Sequence, residues 1–202
     1  MDLLAEWEAF TASPIVPRLY NRWAGLWLLG TVLERRVLVH LTYAPHPFPL
    51  NQYVILVGET GTGKSIPLKS AKHVLAHLPI RGGLDEATRE GLLKYLHEGL
   101  QGVALEEGAT PELFSSAYLF PDEWRAFLPP DKEGVRFQGT LSTLWDGDHP
   151  GYKKVTKRGQ TDDPGYDEEI RQPVLNMLGL IQPGWFAEHA PPGFWTSGLA
   201  AR

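Results

Sequence analysis

The chain has 202 residues, which at roughly 150 residues per domain predicts one domain with at most a short appendage. Hydrophobic residues make up 43% of the sequence and charged residues 21%, which excludes a disordered or fibrous chain. There is no cysteine, so disulfides, thiolate metal sites and cysteine nucleophiles are excluded as well. The net charge of −5 argues against a protein that binds nucleic acid through its overall charge.

The N-terminal part of the chain predicts two helices. Residues 2–10 and 18–39 follow helical patterns, and the second segment carries apolar residues on every side. A helix of that kind is buried, so we expect the pair to pack against the main core. The uncharged apolar stretch Trp23–Leu33 is too short to span a bilayer, and no basic leader precedes it. We therefore expect a cytoplasmic protein without membrane contact.

Strands and helices alternate after a proline-rich linker over residues 42–50. Tyr53–Val57 predicts a buried strand, and residues 65–78 predict a helix with its apolar side chains on one face. The other predicted elements are a helix over 86–100 and strands over 102–105, 118–120 and 174–181. This order predicts an α/β fold with a mostly parallel sheet flanked by helices, in a core over residues 47–202 that follows a helical segment over residues 1–46.

Residues 129–173 interrupt this alternation, because they are polar, glycine-rich and weakly periodic, which predicts a long insertion. Its basic residues precede a run of acidic ones, and the basic residues are Lys153, Lys154, Lys157 and Arg158. In a projecting β-hairpin loop these residues would contact a nucleic-acid backbone. Screening limits the reach of each charge to about 8–10 Å, so the local positive charge would outweigh the negative net charge of the chain. The alternative is a solvated turn in which the basic residues pair with the acidic run.

A phosphate-binding loop pattern follows the predicted strand Tyr53–Val57. It comprises Gly58, Glu59, Thr60, Gly61, Thr62, Gly63, Lys64 and Ser65. Backbone N–H groups of such a loop surround phosphates, Lys64 reaches the outer phosphates and Ser65 ligates Mg²⁺. Because a strand precedes the loop and a helix follows it, the sequence predicts a P-loop NTPase with ATP and Mg²⁺ as its ligands. The alternative is a glycine-rich turn before a helix.

An acidic pair, Asp122 and Glu123, follows the predicted strand over 118–120. In nucleotide hydrolysis one carboxylate organises the water shell of Mg²⁺ and another group orients the attacking water. We assign the first role to Asp122 and the second to Glu123. Pro121 removes a hydrogen-bond donor where the strand ends, which either terminates the strand or weakens the assignment. The alternative is a helix start with Asp122 as the N-cap, and both roles are compatible.

The last predicted strand ends at a polar amide, Gln182, directly before Pro183. In ATPases of the RecA and AAA+ kind a polar side chain at this place senses the γ-phosphate, so Gln182 is the candidate, with Asn176 as the second choice. The alternative is an amide that caps its own turn.

Several motifs occur in one order over most of residues 20–202. They are Arg22-Trp-Ala-Gly, Leu33-Glu-Arg-Arg-Val, the Tyr53–Gly58 strand with its phosphate loop, Ala109-Thr-Pro-Glu112, Asp122-Glu123-Trp124, Leu178-Gly-Leu-Ile-Gln-Pro183 and Gly193-Phe followed by Arg202. Together they resemble the helicase-like P-loop ATPases of phages and plasmids, a RecA/AAA+-like family often joined to a primase. Only the phosphate loop is specific by itself, and the other motifs gain weight from their order and spacing.

The resemblance implies a motor-type ATPase of phage or plasmid DNA replication that forms a homo-oligomeric ring. Its implied partners are single- or double-stranded DNA and a primase or another replication protein. It places Lys64, Ser65, Asp122 and Glu123 at the nucleotide, and Arg202 where related motors offer an arginine to a neighbouring subunit. The chain has no primase module and ends at Arg202, so we expect an ATPase core that is incomplete at its C-terminal end.

Other functions stay open from the sequence. One is a nucleotide-binding scaffold or regulator without turnover, against which Glu123 counts. Another is a small-molecule phosphotransferase, against which the acidic pair and the absence of an obvious arginine-rich lid count. A DNA-packaging ATPase is closely related to the first hypothesis, and the sequence does not separate the two.

Overall fold

The structure is a computed structural model that describes residues 2–42, 47–104, 110–127, 129, 131–146, 152–155, 167–190 and 194. In this part of the chain the helices are α1 (Leu3–Phe10), α2 (Arg18–Leu33), α3 (Ser65–Leu75), α4 (Arg89–Glu98), α5 (Trp124–Phe127), α6 (Lys132–Asp146) and α7 (Pro183–His189). The strands are β1 (Leu38–Val39), β2 (Phe48–Pro49), β3 (Tyr53–Val57), β4 (Leu100–Val103), β5 (Glu112–Leu119), β6 (Tyr152–Val155), β7 (Asp167–Ile170) and β8 (Val174–Ile181).

The main sheet has four strands in the order β3-β8-β5-β4. β8 lies between β3 and β5 and is parallel to both, with Tyr53 opposite Met177 and Leu119 opposite the same methionine. β4 is antiparallel to β5, so the sheet is mixed rather than wholly parallel. The predicted α/β class with a mostly parallel sheet flanked by helices is confirmed, and β4 is its one antiparallel strand in the described sheet.

Helices cover both faces of this sheet, and every residue of β8 is buried. Its alternate side chains enter two separate apolar clusters: Met177 packs with α4, α5 and α6 on one face, and Leu178 packs with α1, α2 and α3 on the other. A strand buried on both faces is apolar at nearly every position, which is why β8 reads as one continuous hydrophobic run.

The N-terminal helices belong to the second of these clusters. Trp27 of α2 has no exposed surface and packs edge-on against Tyr118 and Phe120, with ring centroids 6.3 and 6.4 Å apart. The prediction that the helical pair packs against the main core is therefore confirmed. A boundary at residue 46 does not coincide with a division of the hydrophobic core, because α2 and β3 share one cluster.

The helix predicted over 18–39 ends earlier, at Leu33. Glu34 has a φ of 47°, outside the helical region, and its buried carboxylate accepts hydrogen bonds from Ser116 Oγ at 2.6 Å and Arg36 Nη1 at 2.5 Å. The bond to Ser116 thus joins the end of α2 to β5, where the chain leaves the helix. The next residues form β1, which pairs antiparallel with β2, so part of the predicted linker over 42–50 is a short strand.

The insertion predicted over 129–173 contains a helix that the sequence analysis missed. α6 covers Lys132–Asp146, and its Phe137, Leu141 and Leu144 are buried in the core. Their spacing of four and three residues is the helical signal, but glycine and threonine between them weaken the pattern. Beyond α6, β6 and β7 pair antiparallel, as expected of a β-hairpin.

Other boundaries move by a few residues. The helix predicted over 86–100 begins at Arg89, because Thr88 caps it by accepting a hydrogen bond from the Gly91 amide at 3.1 Å. It ends before Leu100, which opens β4, and β4 lies two residues earlier than predicted. β5 is longer than the strand predicted over 118–120. Among the helices of the described residues, none has the length and apolar character needed to cross a membrane.

Replacing Trp27 tests whether α2 is part of the core. We expect Trp27→Ala to lower the free energy of unfolding by about 3–5 kcal/mol, because it leaves a cavity against Tyr118 and Phe120. Trp23 is 46% exposed one turn earlier on α2 and provides the matched control. Trp23→Ala should cost at most about 1 kcal/mol. Urea denaturation measures both values, and equal losses would show that the helix packs loosely on the sheet.

Candidate functional site

Three parallel strands end at the same edge of the sheet, and each is followed by a segment with predicted site residues. Residues 58–65 follow β3, Asp122 and Glu123 follow β5, and Gln182 follows β8. Because β8 lies between the other two strands, Gln182 is placed between the loop and the acidic pair. In open α/β sheets, ligands bind outside the carboxyl ends of the strands.

The loop over residues 58–65 has the backbone of a tight glycine turn. Gly61 and Gly63 have φ angles of +85° and +76°, which residues with a Cβ atom rarely adopt. α3 begins at Ser65, directly after the loop. A glycine turn before a helix N-terminus can present successive backbone N–H groups to an anion.

Two side chains of the loop bond back to its own backbone. Thr62 Oγ1 donates to the Glu59 carbonyl at 2.8 Å, and Lys64 Nζ donates to the same carbonyl at 3.1 Å. The Lys64 ammonium is thus held over the loop rather than extended into solvent. A cation in this position is available to an anion that enters the loop.

Backbone hydrogen bonds to neighbouring segments continue from β5 up to the acidic pair. The Phe120 amide donates to the Leu84 carbonyl at 3.0 Å, and the Pro121 carbonyl accepts from the Leu180 amide at 3.2 Å. Pro121 therefore keeps a hydrogen bond to β8 through its carbonyl, although it has no N–H to donate. Asp122 and Glu123 are exposed, and α5 begins directly after them, as the helix-start alternative also predicts.

Trp124 fixes the position of the acidic pair. Its indole is 2% exposed and lies over Gly179 of β8, where an added Cβ would be 2.6 Å from Cε3 of the ring. An added methyl group would overlap the ring unless the ring or the strand shifts, so glycine at position 179 allows this close packing. Trp124 thus anchors the start of α5 on β8, directly after Asp122 and Glu123.

Gln182 reaches the loop. Its Nε2 donates to Thr60 Oγ1 at 3.1 Å, and its side chain makes no capping bond at the start of α7. The alternative of an amide that caps its own turn is therefore wrong. Asn176, the second choice, lies near the opposite end of β8, where its Oδ1 accepts a hydrogen bond from the Gln52 amide at 2.8 Å. Asn176 links two strands and lies far from the loop.

A cleft of about 280 Å³ joins these groups. Its lining residues are Lys64, Asp122, Glu123, Trp124, Leu180, Ile181, Gln182 and Trp185. The cleft thus combines one cation, two carboxylates and an amide with two indoles. Ser65 begins α3 next to Lys64 but does not line this cleft.

A second cleft of about 230 Å³ shares the acidic pair and brings in two residues that the sequence analysis missed, Asp85 and Glu86. Leu84 forms a parallel bridge to Leu119, which carries the two carboxylates to the end of β5. Asp85 is ion-paired with Lys72 of α3. Asp85-Glu86 and Asp122-Glu123 have the same Asp-Glu sequence. This repetition was the signal in the sequence that could have identified the first pair.

The remaining predicted site residues fall on segments with little or no described structure. Arg202, Lys157 and Arg158 lie outside the described residues. The backbone of β6 places Lys153 opposite Glu169 and Lys154 opposite Glu168 of β7.

No group of three or more histidine, cysteine, aspartate or glutamate residues that could hold a metal ion occurs within the described ranges. The predicted Mg²⁺ ligands are a different set, one hydroxyl and one carboxylate, Ser65 and Asp122. Oxygen ligands of this kind suit Mg²⁺, which keeps several waters and takes few ligands from the protein.

Comparison of the chain with models of known protein families and with curated protein sequences found no match.

A substitution at Gly179 tests the packing that holds the acidic pair. We expect Gly179→Ala to lower the free energy of unfolding by about 1–3 kcal/mol, because the new methyl group overlaps Trp124. Gly139 of α6 has open space around its Cβ position. Gly139→Ala should raise stability by up to about 1 kcal/mol through helix propensity. Thermal unfolding measures both changes, and a neutral Gly179→Ala variant would contradict the close contact.

Proposed function

We propose that this chain binds ATP with Mg²⁺ and hydrolyses it, as a P-loop ATPase domain of the motor type. One observation carries the proposal: Lys64 of the glycine-rich loop, the acidic pair and Gln182 line one cleft at the carboxyl edge of parallel strands. An oxygen-rich anion with several negative charges suits the loop, and a metal ion that neutralises those charges suits the acidic residues beside it.

Binding is assigned to the loop. The backbone amides around Gly61 and Gly63 bind phosphate oxygens, and the N-terminus of α3 adds a positive potential. Lys64 exchanges its bond to the Glu59 carbonyl for the outer phosphates. Gln182, which bonds Thr60, is positioned to sense whether the last phosphate is present. Ser65 and Asp122 would hold Mg²⁺, which would neutralise charge at the phosphate oxygens when bound.

Hydrolysis is assigned to Glu123. Its carboxylate accepts a hydrogen bond from a water molecule and orients the oxygen toward the γ-phosphorus. A bond forms between the water oxygen and that phosphorus, the bond to the β–γ bridging oxygen breaks, and ADP and inorganic phosphate leave. The water proton passes to the carboxylate and then to phosphate or solvent. A carboxylate at this place favours turnover over a scaffold that only binds nucleotide.

Two substitutions separate binding from hydrolysis. We expect Lys64→Ala to weaken ATP binding by on the order of 100-fold, because it removes a charge-assisted contact to phosphate. Glu123→Gln should keep the affinity and lower the rate of phosphate release by on the order of 10²- to 10⁴-fold, because an amide does not accept the water proton. Isothermal calorimetry with a non-hydrolysable ATP analogue and steady-state phosphate release measure the two effects.

Matched variants control for general loss of charge. Lys69 lies exposed on α3, and Glu98 lies exposed at the end of α4, both outside the cleft. Lys69→Ala and Glu98→Gln should behave like the unaltered protein in both assays. Unchanged affinity in Lys64→Ala would remove the proposed function, and unchanged turnover in Glu123→Gln would reduce Glu123 to a residue at a helix start.

We propose DNA as the partner of this ATPase, on the resemblance to helicase-like ATPases of phages and plasmids. The basic run over residues 153–158 is the candidate contact. The register of β6 and β7 limits it, because Lys153 and Lys154 have acidic residues opposite them. A homo-oligomeric ring, a contribution of Arg202 to a neighbouring subunit, a primase or replication partner and a cytoplasmic location remain predictions from the sequence.

The basic run can be tested by replacing its two halves separately. We expect Lys157→Ala with Arg158→Ala to weaken single-stranded DNA binding and to reduce the slope of log affinity against log salt by about 0.7 for each lost phosphate contact. The same double substitution at Lys153 and Lys154 should have the smaller effect, because glutamates stand opposite those lysines. Fluorescence anisotropy at several salt concentrations measures both, and identical isotherms for all variants would exclude this run as the DNA contact.

A further inference from the structure

The N-terminal segment touches the phosphate loop at both ends of the loop. Tyr20 of α2 lies at Gly58, the first loop residue, and Ile15 and Val16 lie at Gly63 near its end. Neither contact is part of the nucleotide chemistry assigned above. Both come from the helical segment that the sequence analysis treats as a region before the core.

Tyr20 bonds the end of the strand that leads into the loop. Its Oη donates to the Val57 carbonyl at 2.6 Å. β3 pairs with β8 through its other edge, as the bond from the Gly58 amide to the Ile181 carbonyl at 3.1 Å shows. In the described sheet β3 is an end strand, so the Val57 carbonyl points away from β8 and receives the tyrosine hydroxyl in place of a strand partner.

The glycines of the loop are in close contact with this segment. A Cβ on Gly58 would overlap Tyr20 Oη and would lie 2.7 Å from Thr62 Oγ1. A Cβ on Gly63 would lie 3.1 Å from Val16 Cγ2 and 3.3 Å from the Ile15 carbonyl oxygen. The loop backbone is therefore confined from outside at the two positions between which the phosphates are proposed to bind.

We propose that Tyr20 is a positioning residue for the phosphate loop, and that nucleotide binding is coupled through it to the docking of the N-terminal end of α2. The proposal rests on the proposed function, because it assigns a regulator to the same site. A contact that holds the loop in its binding geometry before the nucleotide binds raises affinity by preorganisation. Coupling is reciprocal, so a bound nucleotide stabilises the docked helix to the same extent.

Removal of the Tyr20 hydroxyl tests the positioning role. We expect Tyr20→Phe to weaken binding of a non-hydrolysable ATP analogue with Mg²⁺ by roughly three- to tenfold, the range that one net hydrogen bond corresponds to. Tyr53→Phe is the matched control, because Tyr53 Oη donates to the Leu141 carbonyl at 2.8 Å on the opposite face of the sheet. Both variants should lose similar thermal stability, and only Tyr20→Phe should lose affinity.

Two further measurements test the coupling. Gly58→Ala should weaken nucleotide binding less in the Tyr20→Phe background than in the unaltered chain, because the overlap with Oη is gone. In the unaltered protein the nucleotide analogue should slow hydrogen exchange of the amides over residues 18–22. This measurement does not depend on the folding of any variant. Equal costs of Gly58→Ala in both backgrounds, or unchanged exchange in α2, would overturn the coupling.

The outcomes distinguish this inference from the proposed function. Unaltered nucleotide affinity in Lys64→Ala would overturn the function and the inference together. Loss of affinity in Lys64→Ala, combined with equal affinities of Tyr20→Phe and Tyr53→Phe, would overturn the role of Tyr20 alone.

Discussion

The central position of β8 is the constraint on which the rest of the structure depends. β8 is parallel to β3 and β5 and buried over its whole length, so the carboxyl ends of all three strands lie at one edge. The loop over residues 58–65 and the acidic pair come from distant parts of the chain. Only their attachment to neighbouring parallel strands brings Lys64, Glu123 and Gln182 to the same cleft.

Burial on both faces of the sheet also explains why small residues are needed near the site. Gly179 admits Trp124, which holds the acidic pair, and Gly58 admits the Tyr20 hydroxyl, which holds the start of the loop. The Trp124 indole and the Tyr20 phenol pack on opposite faces of the sheet. The cleft is thus shaped by packing from both helical layers, and the N-terminal helices contribute to it although they carry none of the nucleotide chemistry proposed here.

Local patterns were sufficient for elements whose ends coincide with strong sequence signals. β3 and β8 have the predicted bounds, because each is an apolar run that ends at a turn or a proline. The predicted end of α2 was wrong. The chain leaves the helix at Glu34, whose carboxylate bonds Ser116, 82 positions away, and no local pattern encodes that contact. α6 was missed because its buried face carries only a few large apolar side chains among glycines and polar residues.

The sequence by itself determined the α/β class and the place of the glycine-rich loop between a strand and a helix. These depend on short spacings that a chain carries locally, such as a glycine turn between a strand and a helix. The tertiary structure alone decided the strand order, the antiparallel β4, the bond from Gln182 to Thr60, the approach of Asp85 and Glu86 to the acidic pair and the contact of Tyr20 with the loop. Each of these joins residues far apart in the chain, and their proximity follows from burial of two apolar clusters on one sheet, which no local pattern encodes.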